Sequence, residues 1–426
     1  MTKRTFASLG VPASLIKVLA EDGKEEPFPI QIDTLPDTLS GRDVLGRGKT
    51  GSGKTLAFSI PLVTRLARSK TADGRKRGRH PRGLVLAPTR ELATQILATL
   101  APLADAYSLQ AITVFGGVSA NRQIQALHGG VDIIIATPGR LEDLQKQGHL
   151  HLEAIEITVL DEADHMADLG FLPGVTRILA STPRGGQRLL FSATLDNGVD
   201  KIVAKFLHNE VSHSVDDETS PVAAMTHHVF EIPDVEQKKT LITTLASGSG
   251  RRILFMRTKH HAKKLAKSLT ESGIPAVDLH GNLSQPQRDR NLAAFSSGAV
   301  KVLVATDVAA RGVHVDDVEL VIHVDPPMEH KAYLHRSGRT ARAGSAGDVV
   351  TLCLPTQQKD LNALLRKAAI TVTPQAVTAN SIAVTTLVGD KAAYVKPGAK
   401  KPPQQQNRGT STGANARRKR ARRTGN

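Results

Sequence analysis

Short runs rich in Val, Ile and Leu recur at residues 83–87, 131–136, 155–160 and 188–192, separated by longer stretches with helical spacing. Brief segments that are apolar on both faces are the mark of strands in a parallel sheet covered by helices on each side. The rhythm restarts at 252–256, 276–279, 300–305, 320–324 and 348–354, which predicts a second α/β sheet. Two cores also suit a length of 426 residues, too many for one hydrophobic core. Between the two series, NEVSHSVDDETSP at 209–221 is polar and aperiodic. The first domain is therefore placed at 1–210, a flexible linker at 211–224 and the second domain at 225–370.

From about residue 370 the pattern fades, and 371–426 reads as a disordered basic tail. Residues 391–426 contain Pro-Gly, Pro-Pro and a Gln triplet, with 11 Lys and Arg and no acid. A second basic cluster, 65–82, sets eight Lys and Arg against Asp73 and reads as an exposed loop. These two segments hold essentially all of the formal net charge of +16, so the remainder of the chain is near neutral. The excess points to a polyanionic partner. With no Trp, 3 Tyr and 10 Phe, a platform of stacked bases is disfavoured, and a grip on nucleic-acid backbone is expected instead. Cys353 is the one cysteine, which suits a reducing compartment. With no signal peptide and no membrane-length apolar run in view, a cytoplasmic protein is expected. Attachment to anionic membranes through 417–423 ranks last, since the tail has no apolar face.

Gly48, Lys49, Thr50, Gly51, Ser52, Gly53, Lys54 and Thr55 fit G-x-x-x-x-G-K-[ST], a loop whose backbone N–H groups wrap phosphate oxygens at a helix N-terminus. A strand at 43–45 precedes it and a helical stretch at 56–67 follows. In such a loop Lys54 reaches the β- and γ-phosphates and Thr55 holds Mg2+. A metal-bound triphosphate also needs a carboxylate at a neighbouring strand end, and the run 157–160 closes on Asp161 and Glu162. Asp161 is the candidate for Mg2+, and Glu162 the candidate base for the attacking water. Arginine must then meet the charge on the departing phosphate, and 335–342 supplies Arg336, Arg339 and Arg342 in the second domain.

With these residues in order, the chain resembles the DEAD-box ATP-dependent RNA helicases over most of 1–370. Phe6 with Leu9 and Gly10, then Pro29, Ile30 and Gln31, are similar to the family's Q motif. That resemblance implies that Phe6 stacks on adenine and Gln31 reads its edge. Pro88, Thr89, Arg90, Gly117, Thr137, Gly139 and Arg140 resemble first-domain contacts to the RNA backbone. Asp161, Glu162, Ala163 and Asp164 spell the name-giving motif, and Ser192, Ala193 and Thr194 resemble the motif that links ATP state to strand separation. In the second domain, Arg288 and Thr306 resemble RNA-backbone contacts. Gln285 and His335, with Asp164, Ser192 and Thr194, resemble residues that couple the domains, while Arg339 and Arg342 resemble arginine fingers.

Three positions depart from the pattern. Lys49 stands where Gln is usual, Ala341 replaces a Gly between the two fingers, and His314 occupies the place of an Asp that contacts ribose. His314 is accordingly not counted in the site.

The resemblance implies two tandem RecA-like domains that close on ATP, Mg2+ and RNA. It also implies local, non-processive unwinding or remodelling of RNA duplexes or RNA–protein complexes by a monomer. Ribosomal or RNA-decay partners would suit such a chain. The alternatives are an RNA annealer or scaffold acting through the basic tail, and a DNA helicase of the same superfamily.

Overall fold

The computed structural model describes residues 4–48, 51–69, 78–196, 198–215, 225–310, 318–341 and 346–396. Two sheets of seven strands organise it. The first contains β1 (Val44–Arg47), β2 (Gly83–Leu86), β3 (Ala111–Val114), β4 (Ile133–Ala136), β5 (Ile157–Asp161), β6 (Gln187–Ser192) and β7 (Val211–Ser214). The second contains β8 (Met225–Glu231), β9 (Arg251–Phe255), β10 (Ala276–Leu279), β11 (Val302–Ala305), β12 (Val318–His323), β13 (Gly347–Cys353) and β14 (Gln375–Ala376). Their orders are β3-β4-β2-β5-β6-β1-β7 and β10-β11-β9-β12-β13-β8-β14. Each strand of the second sheet sits where its counterpart seven places earlier sits in the first, so the molecule repeats one topology twice. All pairings are parallel, as expected of RecA-like α/β domains.

Alternate residues of each strand feed separate cores on the two faces. In the first sheet Val85, Ile133, Ile135 and Val159 pack on one side, and Leu84, Leu86, Ile134 and Leu160 on the other. Ile253, Phe255 and Leu303 are likewise divided from Leu254, Val302 and Val304 in the second. Burial on both faces is why these strands lack a polar alternation.

Two assignments made from sequence change. Residues 211–214, given to the linker, form edge strand β7 against β1. With Ser212 and Ser214 exposed and His213 alternating with them as a half-buried polar residue, it carries no apolar periodicity to find. Residues 216–224 of that linker lie outside the described residues.

The second domain also continues past Ile370. β14 pairs with β8, and the helix Ile382–Val388 seats Val384 and Val388 in the core beside Val377. Arg252, only 1% exposed, donates from Nη2 to the carbonyls of Leu387 (3.2 Å) and Val388 (2.7 Å), fixing that helix from beneath. The segment looks disordered in sequence because only three of its aliphatic side chains, Val377, Val384 and Val388, are buried among the described residues. Residues 397–426 lie outside the described residues, as do 70–77 of the basic cluster. That cluster is not an exposed loop throughout: its residues 65–68 close the helix Lys54–Arg68, and its Arg79 and Arg82 are part-buried in ion pairs with Asp132 and Glu156. Among the described residues, no helix is long and apolar enough to cross a membrane.

Candidate active site

Apart from Phe6 and Gln31, which precede β1, the candidate motifs of the first domain stand at the carboxyl ends of its strands, the edge where parallel α/β sheets bind ligands. Sheet order divides them. The phosphate loop, the Asp161 pair and Ser192–Thr194 follow β1, β5 and β6, which are neighbours. Arg90, Gly117 and Arg140 follow β2, β3 and β4, which make up the adjoining half. One edge therefore offers two contiguous stations.

At the first station Gly51 and Gly53 adopt φ of +90° and +88°, a backbone that L side chains resist. Gly53 caps the helix Lys54–Arg68. Lys54 folds back over the loop, its Nζ donating to the Gly48 carbonyl at 2.5 Å, and the Ser52 hydroxyl is buried with no hydrogen-bond partner among the described residues. Thr55 is half-buried on the first turn of that helix. Lys49 and Thr50 lie outside the described residues. Gln31 is fully buried and braces the loop, donating from Nε2 to the Gly53 carbonyl at 2.8 Å and accepting from Phe28 N–H at 2.9 Å.

The aromatic expectation is corrected here. Phe6 is 3% exposed and belongs to the core, so its face is taken by the protein and cannot receive a base. Phe28, 46% exposed, stands beside the loop instead, and a Cβ built on Gly53 would come within 3.0 Å of its ring.

Asp161 ends β5 and is buried. Burial pushes its carboxyl up to about 7, with nearby Lys54 opposing and Glu162 adding to the rise. Its Oδ1 accepts the Glu162 backbone N–H at 3.0 Å. Glu162 takes a left-handed backbone, φ 50° and ψ 52°, a costly conformation for a non-glycine residue that tends to collect at functional sites. Asp164 faces β6: its N–H donates to the Ser192 hydroxyl at 3.1 Å, and its Oδ2 accepts from Thr194 N–H at 3.2 Å. Ser192 in turn donates to the Thr194 carbonyl at 2.7 Å. Three of the five residues expected to couple the domains, Asp164, Ser192 and Thr194, thus form one network within the first.

That network continues across the domain boundary through two residues the sequence did not single out. Thr194 donates to Asp196 at 2.5 Å, and Asp196 pairs with Lys331 of the helix His330–Ser337. The same helix leads to Arg339, which is buried and donates from Nε to the His335 carbonyl at 3.2 Å. His335 is half-buried. Arg342 lies outside the described residues.

At the second station, Thr89 caps its helix through a bond from Leu92 N–H at 3.2 Å, with Pro88 just before it at the end of β2. Arg90 lies against Gly117, where a Cβ would come within 2.0 Å of Nη1. Arg140 reaches the Val118 carbonyl at 3.4 Å, with Thr137 and Gly139 at the start of its helix. Thr306 follows β11 in the second domain, its N–H donating to the Leu279 carbonyl at 3.2 Å.

Arg288, expected to contact RNA backbone, is buried against the first domain. Its Nε donates to Glu91 at 2.7 Å, where Gln285 also donates at 3.2 Å, and Arg90 donates to Gln285 at 3.0 Å. Burial lowers the Arg90 pKa, and the nearby charges of Arg288 and Arg140 push the same way. Three guanidinium groups, Arg90, Arg140 and Arg288, thus gather at this corner beside the carboxylates of Glu91, Asp289 and Asp143, and guanidinium forks of this kind suit an anion such as a phosphate.

Comparison with known proteins gives a consistent result. Residues 28–202 match the family model described as DEAD/DEAH box helicase, and residues 236–344 match the helicase conserved C-terminal domain. The chain is 42% identical over 366 residues to "DEAD-box ATP-dependent RNA helicase 3B, chloroplastic" of Zea mays, covering 85% of this chain and 49% of that protein. It is 41% identical over 357 residues to "ATP-dependent RNA helicase RhlB" of Xanthomonas campestris, covering 82% and 62%. The chain thus spans about half to three fifths of the length of these curated relatives. Among solved structures, S. cerevisiae Dbp5 bound to RNA and ADP BeF3 matches with a TM-score of 0.77 at 27% identity, covering 90% of this chain and 100% of that one. Mss116p bound to ssRNA and AMP-PNP matches with a TM-score of 0.77 at 26% identity, covering 91% and 82%.

Proposed function

The chain belongs to the DEAD-box RNA helicase family, and from that premise we propose that it hydrolyses ATP at β1, β5 and β6 and uses the cycle to remodel RNA held at β2, β3 and β4. The observation that carries this reading is the division of one sheet edge into a phosphate station and an arginine-rich station, both connected to the second domain. Lys54 and the loop amides hold the triphosphate, and Phe28 offers its exposed ring to the base.

Among the described residues no group of three or more His, Cys, Asp or Glu is placed to hold a metal. One carboxylate and one hydroxyl, Asp161 and Thr55, instead fit a hard cation that arrives with its nucleotide and keeps phosphate and water ligands. The buried Asp161 carboxyl suits such a counter-charge. Bound there, Mg2+ would offset charge on the β- and γ-phosphates.

Glu162 orients the attacking water and takes its proton as the water oxygen bonds to the γ-phosphorus and the bond to the ADP oxygen breaks. Arg339 and Arg342 stabilise the charge on the phosphoryl group in flight. Pro88, Thr89, Arg90, Gly117, Thr137, Gly139, Arg140 and Thr306 bind RNA by its backbone, which favours RNA over DNA without reading sequence. Two ligands that both favour the closed pair of domains strengthen each other's binding.

Turnover of ATP by the full chain should rise with single-stranded RNA and much less with DNA. Glu162→Gln should bind ATP and RNA yet hydrolyse at least a hundredfold more slowly. Equal stimulation by DNA would replace RNA as the partner, and normal turnover by the variant would remove Glu162 from its role.

A further inference from the structure

His165 lies one turn beyond the proposed base and is 4% exposed. Its Nδ1 stands 3.1 Å from Glu162 Oε2. A carboxylate only accepts, so this contact requires the proton on Nδ1. The other nitrogen, Nε2, is buried with no hydrogen-bond partner among the described residues, so a proton placed there would be a stranded buried donor. Both facts select the same tautomer. The backbone adds a second constraint, because Glu162 is held in the left-handed region while His165 sits in the helix Ala163–Asp168 that begins directly after it.

We propose that His165 is a positioning residue for hydrolysis: its Nδ1–H fixes the Glu162 carboxylate in the rotation that receives the proton of the attacking water. It touches neither nucleotide nor water. The inference rests on Glu162 being the base. A carboxylate on a side chain with free torsions samples many orientations, and a buried donor locked by its own helix removes most of them before substrate arrives.

The test uses the full chain at saturating RNA. His165→Leu keeps volume and removes the donor, and kcat should fall about tenfold, the usual lower range for loss of a positioning hydrogen bond, with KM for ATP unchanged. His165→Asn puts an amide N–H where Nδ1 stands and should recover most of the rate. His165→Gln, whose amide falls nearer the Nε2 position, should behave as Leu and serves if the Leu variant does not fold. In a Glu162→Gln background the Leu substitution should slow the residual rate no further, because the two residues act as one unit. A wild-type kcat in the Leu or Gln variant, beside a collapsed rate in Glu162→Gln, would overturn the role of His165 alone. A normal rate in Glu162→Gln would overturn the base assignment itself.

Discussion

Asp161, the proposed Mg2+ ligand, shows most directly what such a residue costs the fold. Its carboxyl titrates near 7 because it is buried, far above the value of about 3.9 in an unfolded chain. The folded protein therefore binds this proton more tightly than the unfolded chain does. The stability it contributes is fully present below about pH 4 and is lost as pH rises to about 7. Asp161→Asn should accordingly raise the melting temperature of the nucleotide-free protein at pH 8 by about 2 °C or more, with the gap shrinking at pH 5. A gap that does not change with pH would mean that this carboxyl is not the cause.

At the same scale, Gly51 and Gly53 were legible because a phosphate loop needs positive φ, and so was Ala341, which takes φ 52° where the family has Gly. Phe28 was not, since nothing local says which of two phenylalanines the fold leaves exposed. Nor was the partner of Arg288, because Glu91 lies 197 positions away in the chain.

Elements were legible in proportion to their burial. Central strands such as β4, buried along its whole length, announce themselves as apolar runs. The edge strand β3 is only partly buried over three of its four residues and is missing from the runs read in sequence, while β7, with serines on its open face, reads as linker. The helix Ile382–Val388 fails for a different reason, since its place is set by a distant arginine and three aliphatic side chains rather than by its own pattern. A chain ending at 370 should therefore lose several kcal/mol of second-domain stability, at roughly 1.5–3 kcal/mol for each of Val377, Val384 and Val388. A chain ending at 396 should unfold as the full protein does in urea, yet bind RNA more weakly and with a flatter salt dependence, because the cationic residues beyond it are gone. Equal stability of the two truncations would contradict the anchoring by Arg252.

At the scale of the molecule, the same seven-strand topology appears twice, and only the first copy carries a phosphate loop and its carboxylates. The second copy contributes arginines and interface residues. Division into two parallel-sheet domains could be read from the spacing of apolar runs, whereas the partners across the boundary could not, even for Gln285, which was expected to couple the domains. Glu91 with Arg288, and Asp196 with Lys331, depend on how two separately folded units meet. Those contacts connect the proposed RNA station and the Ser192–Thr194 network to the second domain and to the helix that leads into Arg339.

The central claim is that hydrolysis on the first domain is completed by arginine from the second. It is tested most directly by single-turnover ATP hydrolysis at saturating RNA with Arg339→Ala, with nucleotide affinity measured in parallel. The account predicts a rate about a thousandfold lower with ATP still bound. A wild-type rate would contradict it.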